Sequence, residues 1–322
     1  MPLWRSIFFN TTIFQMKNKF LGLALLVAFG LGACKKDKET PDNNLIQTED
    51  NNDLKSEGDQ ANSDVTDALG NFSTINGRIA ATQAKVICGC SIDSVGPKTL
   101  RLSYDGVTPC GNPSRTRGGK ITFTLVNGNR WSEQGAVLNI TLDNYKVVRL
   151  SDKKSWNFNG SKTLKNIRGT NWIGFLARTD SLLYQERARN MVVTINNSAN
   201  VTYNIARTTT WKSVQETNRS FIQFSAIGDT TIDGLTNIDT WGTSRFQHTF
   251  TNQYLSRLVS DTYCNVWRPR GGEIQHKSNG NTLTLTFGVN EQGLHDTRDC
   301  AYGWKMKVQT AGGVVNERIY SY

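Results

Sequence analysis

The chain has 322 residues, 37 Lys plus Arg against 27 Asp plus Glu, and a formal net charge of +10. Such a balance suggests nucleic acid or an acidic partner, but it is unevenly divided: residues 1–33 carry +3, residues 34–70 carry −6 and residues 71–322 carry +13. Beyond the leader and the acidic stretch, about 250 residues are left to build a core, which excludes both a wholly disordered chain and a disulfide-only miniprotein.

Residues 16–34 place a short basic segment (Lys17, Lys19) before an uncharged, mostly apolar run from Phe20 to Ala33. At 1.5 Å per residue that run is too short to span roughly 30 Å of hydrocarbon as a permanent helix. It reads as a cleaved signal peptide, residues 1–33, with translation starting at Met16. The run ends in Leu31-Gly32-Ala33-Cys34, which resembles the bacterial lipobox; Cys34 is then the lipidation site and the first mature residue. Two or three acyl chains, at about 0.8 kcal/mol per buried methylene, make a stable membrane anchor. The following Lys35-Lys36-Asp37-Lys38-Glu39 resembles the export signal of surface lipoproteins in the Bacteroidota. The expected location is the outer membrane, exposed at the cell surface, with a periplasm-facing lipoprotein as the alternative.

Residues 34–70 are dominated by Asp, Asn, Glu, Gln, Ser and Lys, with isolated Leu45, Ile46, Leu54, Val65 and Leu69. So few apolar groups do not offset the entropy of ordering, so the segment is expected to be a flexible acidic tether. Residues 60–69 are its one stretch suited to a short helix on docking.

From Phe72 onward apolar residues recur mostly at every second position. Lys120–Val126, Val137–Leu142 and Thr282–Phe287 alternate aliphatic or aromatic residues with Thr, Lys or Asn, the pattern of half-buried strands. Further strands are expected at 85–92, 98–104, 190–196, 200–208, 219–226, 244–251, 303–309 and 313–320. Separators such as Asn127-Gly128, Asn159-Gly160 and Asn279-Gly280 suit tight hairpin turns. Only Asp180–Met191 has helical appeal, with a long loop as the alternative. The expected fold is all-β and antiparallel, a β-sandwich or an extended meander, with β units at 71–188 and 189–322.

One motif recurs. Cys110, Arg117-Gly118-Gly119-Lys120-Ile121 is echoed by Cys264, Arg270-Gly271-Gly272-Glu273-Ile274. The paired glycines suit a bulge at a strand entrance, and the echo is consistent with two related β units. Leu100–Gly106, Cys110 and Arg117–Phe123 resemble the amino-terminal half of an uncharacterised family of Bacteroidota lipoproteins. Cys264, Gly271–Ile274, Leu283–Gly288 and Cys300 resemble its carboxy-terminal half. The resemblance implies fold and location and carries no activity.

Five cysteines remain besides Cys34, and an oxidising compartment favours pairing them. Cys264 and Cys300 each stand at a strand-loop border; joining them closes a loop of about 37 residues, worth roughly 3–4 kcal/mol. Cys110 then pairs with Cys88 or Cys90, leaving one thiol. The alternative, zinc on Cys88, Cys90 and Cys110, lacks a fourth ligand, so neither metal nor cofactor is expected. His248, His276 and His295 have no partner at metal-ligand spacing, although Asp296 and Asp299 follow His295. Glycine-flanked serine elbows, phosphate loops and paired zinc histidines are lacking, so the reading leans away from an enzyme. The alternative is a polysaccharide hydrolase drawing paired carboxylates from Glu133, Glu216, Glu273 and Glu291. Trp156, Trp211 and Trp241 are the candidates for stacking on a ligand, against core packing as the default. The expected function is a binding or adhesion module for glycans or envelope components, or else a structural envelope subunit. Scattered basic residues argue against specific nucleic-acid binding.

Overall fold

The computed structural model describes residues 43–71, 87–111, 114–169, 175, 181–216 and 218–322. The signal segment, Cys34 and the first residues after it lie outside these. Helix α1 (Asn43–Asn71) precedes fifteen strands. They are β1 (Cys90–Gly96), β2 (Thr99–Asp105), β3 (Arg115–Asn127), β4 (Val137–Arg149), β5 (Ser155–Asn166), β6 (Ser181–Ile195), β7 (Ala199–Glu216), β8 (Arg219–Gly228), β9 (Thr230–Ile232), β10 (Leu235–Thr243), β11 (Thr249–Asp261), β12 (Gly271–Ser278), β13 (Asn281–Val289), β14 (Gly303–Gln309) and β15 (Val315–Ser321).

All of them belong to one antiparallel sheet, ordered β1 to β7 and then β10 to β15. The β8 strand pairs with both β7 and β11, and β9 pairs with β10. The fold is therefore all-β, as the alternation predicts, with helix α1 against one face. Hairpin chemistry explains much of the order. Asn196-Asn197 (φ 51° and 55°) and Asn279-Gly280 (φ 48° and 74°) turn β6 into β7 and β12 into β13 with two left-handed residues each, the geometry that follows strand twist. The expected boundary at 188/189 falls inside β6, and residues 41–322 form one compact unit.

Two local expectations change. Asp180–Met191 is not helical: Leu182, Tyr184, Glu186 and Ala188 are buried alternately on β6, and the register shift before Met191 resets the alternation. Glu186 occupies a core-facing position, so the period of two is hidden from a hydrophobicity count. Asn159-Gly160 is not a turn but a bulge within β5.

The largest change concerns the acidic segment. Residues 43–71 are not a tether but helix α1, and its buried positions are Gln47, Asp50, Leu54, Glu57, Ala61, Asp64, Val65, Ala68 and Leu69. They recur at three- and four-residue steps, a helical stripe in which carboxylates take places usually held by leucines. Glu57 and Asp59 point about 200° apart around the helix, yet they reach Arg115 at the start of β3 and Arg207 on β7. The sheet therefore curls around α1, and the core lies between them: Val65, Ala68 and Leu69 join Leu102, Phe123, Ile140, Phe158 and Val193 in one cluster.

Disulfides join Cys88 to Cys110 and Cys264 to Cys300. The first uses up two of the thiols required by the zinc alternative. Cys90 remains a free thiol; burial and neighbouring Asp64 push it up to about 11, away from thiolate chemistry at neutral pH. The recurring motif has one structural role in both places. Gly119 (φ 82°) and Gly272 (φ 123°) each stand at a register shift. A side chain there would approach Asn144 O to 1.9 Å and Leu258 Cα to 2.6 Å. The preceding arginines are both neutralised, Arg117 by Asp64 at 3.0 Å and Arg270 by Asp261 at 2.8 Å.

Candidate functional site

The helix meets the sheet through a seam of charge. Along α1, Asp50 pairs with Arg245 (2.8 Å) and Lys154 (3.2 Å), Asp53 with Lys154 (2.7 Å) and Arg149 (3.3 Å), Glu57 with Arg115, and Asp64 with Arg117. Burial outweighs these cations at Asp50 and Glu57 and raises both carboxyls above their ordinary range. At the middle of the seam, Glu186 receives Lys162 and Asn62 at 3.0 Å each and Arg207 at 2.7 Å. Burial pushes Glu186 up, but Lys162 and Arg207 outweigh it and hold the carboxyl far below the usual range. Arg207 also donates to Asp59 at 2.9 Å and lies 3.7 Å from Asp239. Lys55 donates to Tyr254 Oη at 2.6 Å and stands 3.9 Å from Asp239. Each charge in this group has a counter-charge, as burial demands.

Beside the seam, α1 and the later strands line a partly open cavity of about 240 Å³. Its apolar wall includes Leu54 of α1, Phe250 of β11, Ile274 of β12, Leu285 and Phe287 of β13, and Trp304 of β14. Register places these groups together. Ile274 and His276 share one face of β12, and Leu285 and Leu283 lie directly opposite them on β13. A polar row crosses the same face: Thr240, Asn252 and His276 are successive cross-strand neighbours on β10, β11 and β12. Asn252 Nδ2 donates to Thr240 Oγ1 at 2.6 Å, and His276 Nδ1 lies 2.7 Å from Asn252 Oδ1. Asn51 Nδ2 approaches the same ring nitrogen at 3.3 Å. Nε2 of His276 is buried without a hydrogen-bond partner, and burial alone pulls the imidazole down to about 4. Its ring is therefore neutral at neutral pH.

The residues singled out in the sequence fall elsewhere. Trp156 is fully buried beneath Arg149 and Lys154, whose charges lie 5.1 and 5.5 Å from its ring, so it is a core residue and not a stacking surface. Trp211 is half-buried against the core and Phe224. Trp241 follows Thr240 and so points to the opposite face from the cavity. The proposed carboxylates are held separately: Glu133 accepts from the Asn129 amide, Glu216 is bound by Arg219, and Glu291 is bound by Arg298. Glu273 lies on β12 opposite Thr286. His295 is exposed, and the acids beside it are taken by arginines: Asp296 by Arg298 and Asp299 by Arg219. Among the described residues, no group of three or more His, Cys, Asp or Glu is placed to hold a metal ion.

Thr240, Asn252 and Trp304 were not singled out in the sequence, and His276 was read there only as lacking a partner at metal-ligand spacing. Their assembly depends on strand register that brings Thr240 of β10 near residues as distant in sequence as Trp304 of β14. Glu186 did leave a signal, a carboxylate at the apolar parity of β6. The chain matches no protein-family model, no curated protein sequence and no solved structure.

Proposed function

We propose that this chain is a lipid-anchored, non-catalytic binding protein of a bacterial outer membrane, and that its ligand occupies the cavity between α1 and β11–β14. The observation that carries this reading is an apolar cavity of about 240 Å³ with one buried, unpartnered ring nitrogen in its wall. Gly58 adds to it. This glycine lies in the middle of a 29-residue helix, lines the cavity and has nothing within 4 Å of where a Cβ would stand. Glycine in a helix interior costs about 1 kcal/mol relative to alanine, and a side chain there would fill the space. The lipobox-like run ending at Cys34 and the two disulfides support an exported, membrane-tethered protein.

The test has two arms. Full-length protein expressed with labelled palmitate is expected to fractionate with membranes and carry label, whereas Cys34→Ala loses both. Organic extracts of the purified wild type are expected to contain a small apolar molecule that extracts of Gly58→Leu lack. A Cys34→Ala protein that stays membrane-bound defeats the anchor, and identical extracts defeat the cavity as a ligand site.

A second reading rests on a separate observation. Trp267 is 82% exposed on the loop between β11 and β12, with Tyr263 at 49%, and the Cys264–Cys300 disulfide pins that loop. A fixed, exposed aromatic suits adhesion to glycans. Loss of glycan-array binding in Trp267→Ala would support it, and unchanged binding would remove it.

A further inference from the structure

The chemistry of the cavity wall narrows what it accepts. Any charged ligand group entering it must leave water and find a counter-charge. The charges that line it are already matched: Arg207 with Glu186 at 2.7 Å, and Lys55 with Asp239 at 3.9 Å and with Tyr254 Oη at 2.6 Å. Arg207 Nε and Asp239 Oδ1 also lack hydrogen bonds, but they face each other as an ion pair at 3.7 Å, whereas Nε2 of His276 has no counterpart. Asn252 stands with Nδ2 donating to Thr240 Oγ1 and Oδ1 toward the imidazole. At 2.7 Å that contact requires the proton on Nδ1, and it prevails over the 3.3 Å approach of Asn51 Nδ2. Nε2 is then a buried lone pair that needs a donor. A buried acceptor left unsatisfied carries a desolvation cost that a ligand hydroxyl would remove.

Size sets the second limit. An apolar cavity of about 150 Å³ holds benzene, so about 240 Å³ admits a molecule of about nine non-hydrogen atoms by the same scale. We propose that the cavity binds a neutral, hydroxyl-bearing apolar molecule of that size, its hydroxyl donating to Nε2 of His276 and its body lying against Ile274, Leu285, Phe287 and Trp304. This deepens the binding reading above and rests on it.

The experiment is calorimetric titration of the full chain with octan-1-ol, octanoate, octylamine and octane, repeated with His276→Leu and Gly58→Leu. In the wild type, octan-1-ol is expected to bind about tenfold or more tightly than octanoate, octylamine or octane. His276→Leu is expected to erase the advantage of octan-1-ol over octane while octane still binds. Gly58→Leu leaves the Thr240–Asn252–His276 row intact and improves helix propensity, so it keeps the fold under test and is expected to abolish binding of all four. If octanoate binds as well as octan-1-ol, or if His276→Leu keeps the preference, the hydroxyl assignment is overturned and the cavity reading stands. If none of the four binds the wild type, or Gly58→Leu binds them unchanged, the cavity reading itself is overturned.

Discussion

Strands β2–β7 and β11–β14 belong to one sheet and share the same alternation, with threonines prominent among the outward positions, but they bury their apolar residues to different extents. Leu102, Phe123, Ile140, Phe158 and Val193 have no exposed surface, whereas Ile274, Leu285, Phe287 and Trp304 are only half-buried. The cause lies in α1. Toward the earlier strands it presents Ala61, Val65, Ala68 and Leu69, which complete the core. Toward the later strands it presents mainly Asn51, Asn52, Lys55 and Gly58. One face of the helix closes a core and the other leaves room beside an equally apolar sheet. The contrast shows that a cavity can arise from what the helix omits, without any special feature in the strands.

The comparison is most directly broken by truncating one phenylalanine on each side. Phe158→Ala is expected to cost about 3–5 kcal/mol, since it leaves a void in a sealed core. Phe287→Ala, already facing open space, is expected to cost about 1–2 kcal/mol. Denaturant unfolding of both variants checks this, and equal losses would mean that the later strands are as tightly packed as the earlier ones.

Acid sharpens the same contrast through His276. Its folded-state value is about 4 against an ordinary 6.5, so between those values the unfolded chain binds more protons and stability falls as pH falls. The loss attributable to this group is roughly 3 kcal/mol across that window, with no further loss below it. Asp50 and Glu57, raised in the folded state, act in the opposite direction as they protonate. The expected result is therefore a difference: His276→Gln should flatten the decline of melting temperature between pH 6.5 and 4. Parallel profiles would place the imidazole in water.

The smallest expected effect concerns the helix. Gly58→Ala should stabilise the fold by about 0.5–1 kcal/mol through helix propensity alone, because nothing stands where its Cβ would go. A destabilisation would show that the later strands press directly on α1.

Much of the sheet was legible because period-two alternation and Asn-Gly turns act locally, as at Lys120–Val126 and Asn279-Gly280. The helix was not. Among the described residues, four of its nine buried positions are Gln47, Asp50, Glu57 and Asp64, and a hydrophobicity pattern counts these as solvent-facing. The same reversal hid β6 around Glu186 and produced the expectation of a flexible acidic tether.

By itself, the amino-acid sequence determined the all-β class, several of the strands and the division of charge into an acidic segment and a basic body. Only tertiary structure decided that these two charges belong inside one another. A carboxylate is apolar enough for a core only when a particular arginine or lysine reaches it, and Arg115, Arg117, Lys154 and Arg207 lie 53 to 148 positions from the α1 acids they neutralise. Local propensity carries no record of contacts at that separation. The cavity and its unmet imidazole nitrogen follow from the same long-range register, which sets Thr240, Asn252 and His276 in one row along the cavity that Gly58 also lines.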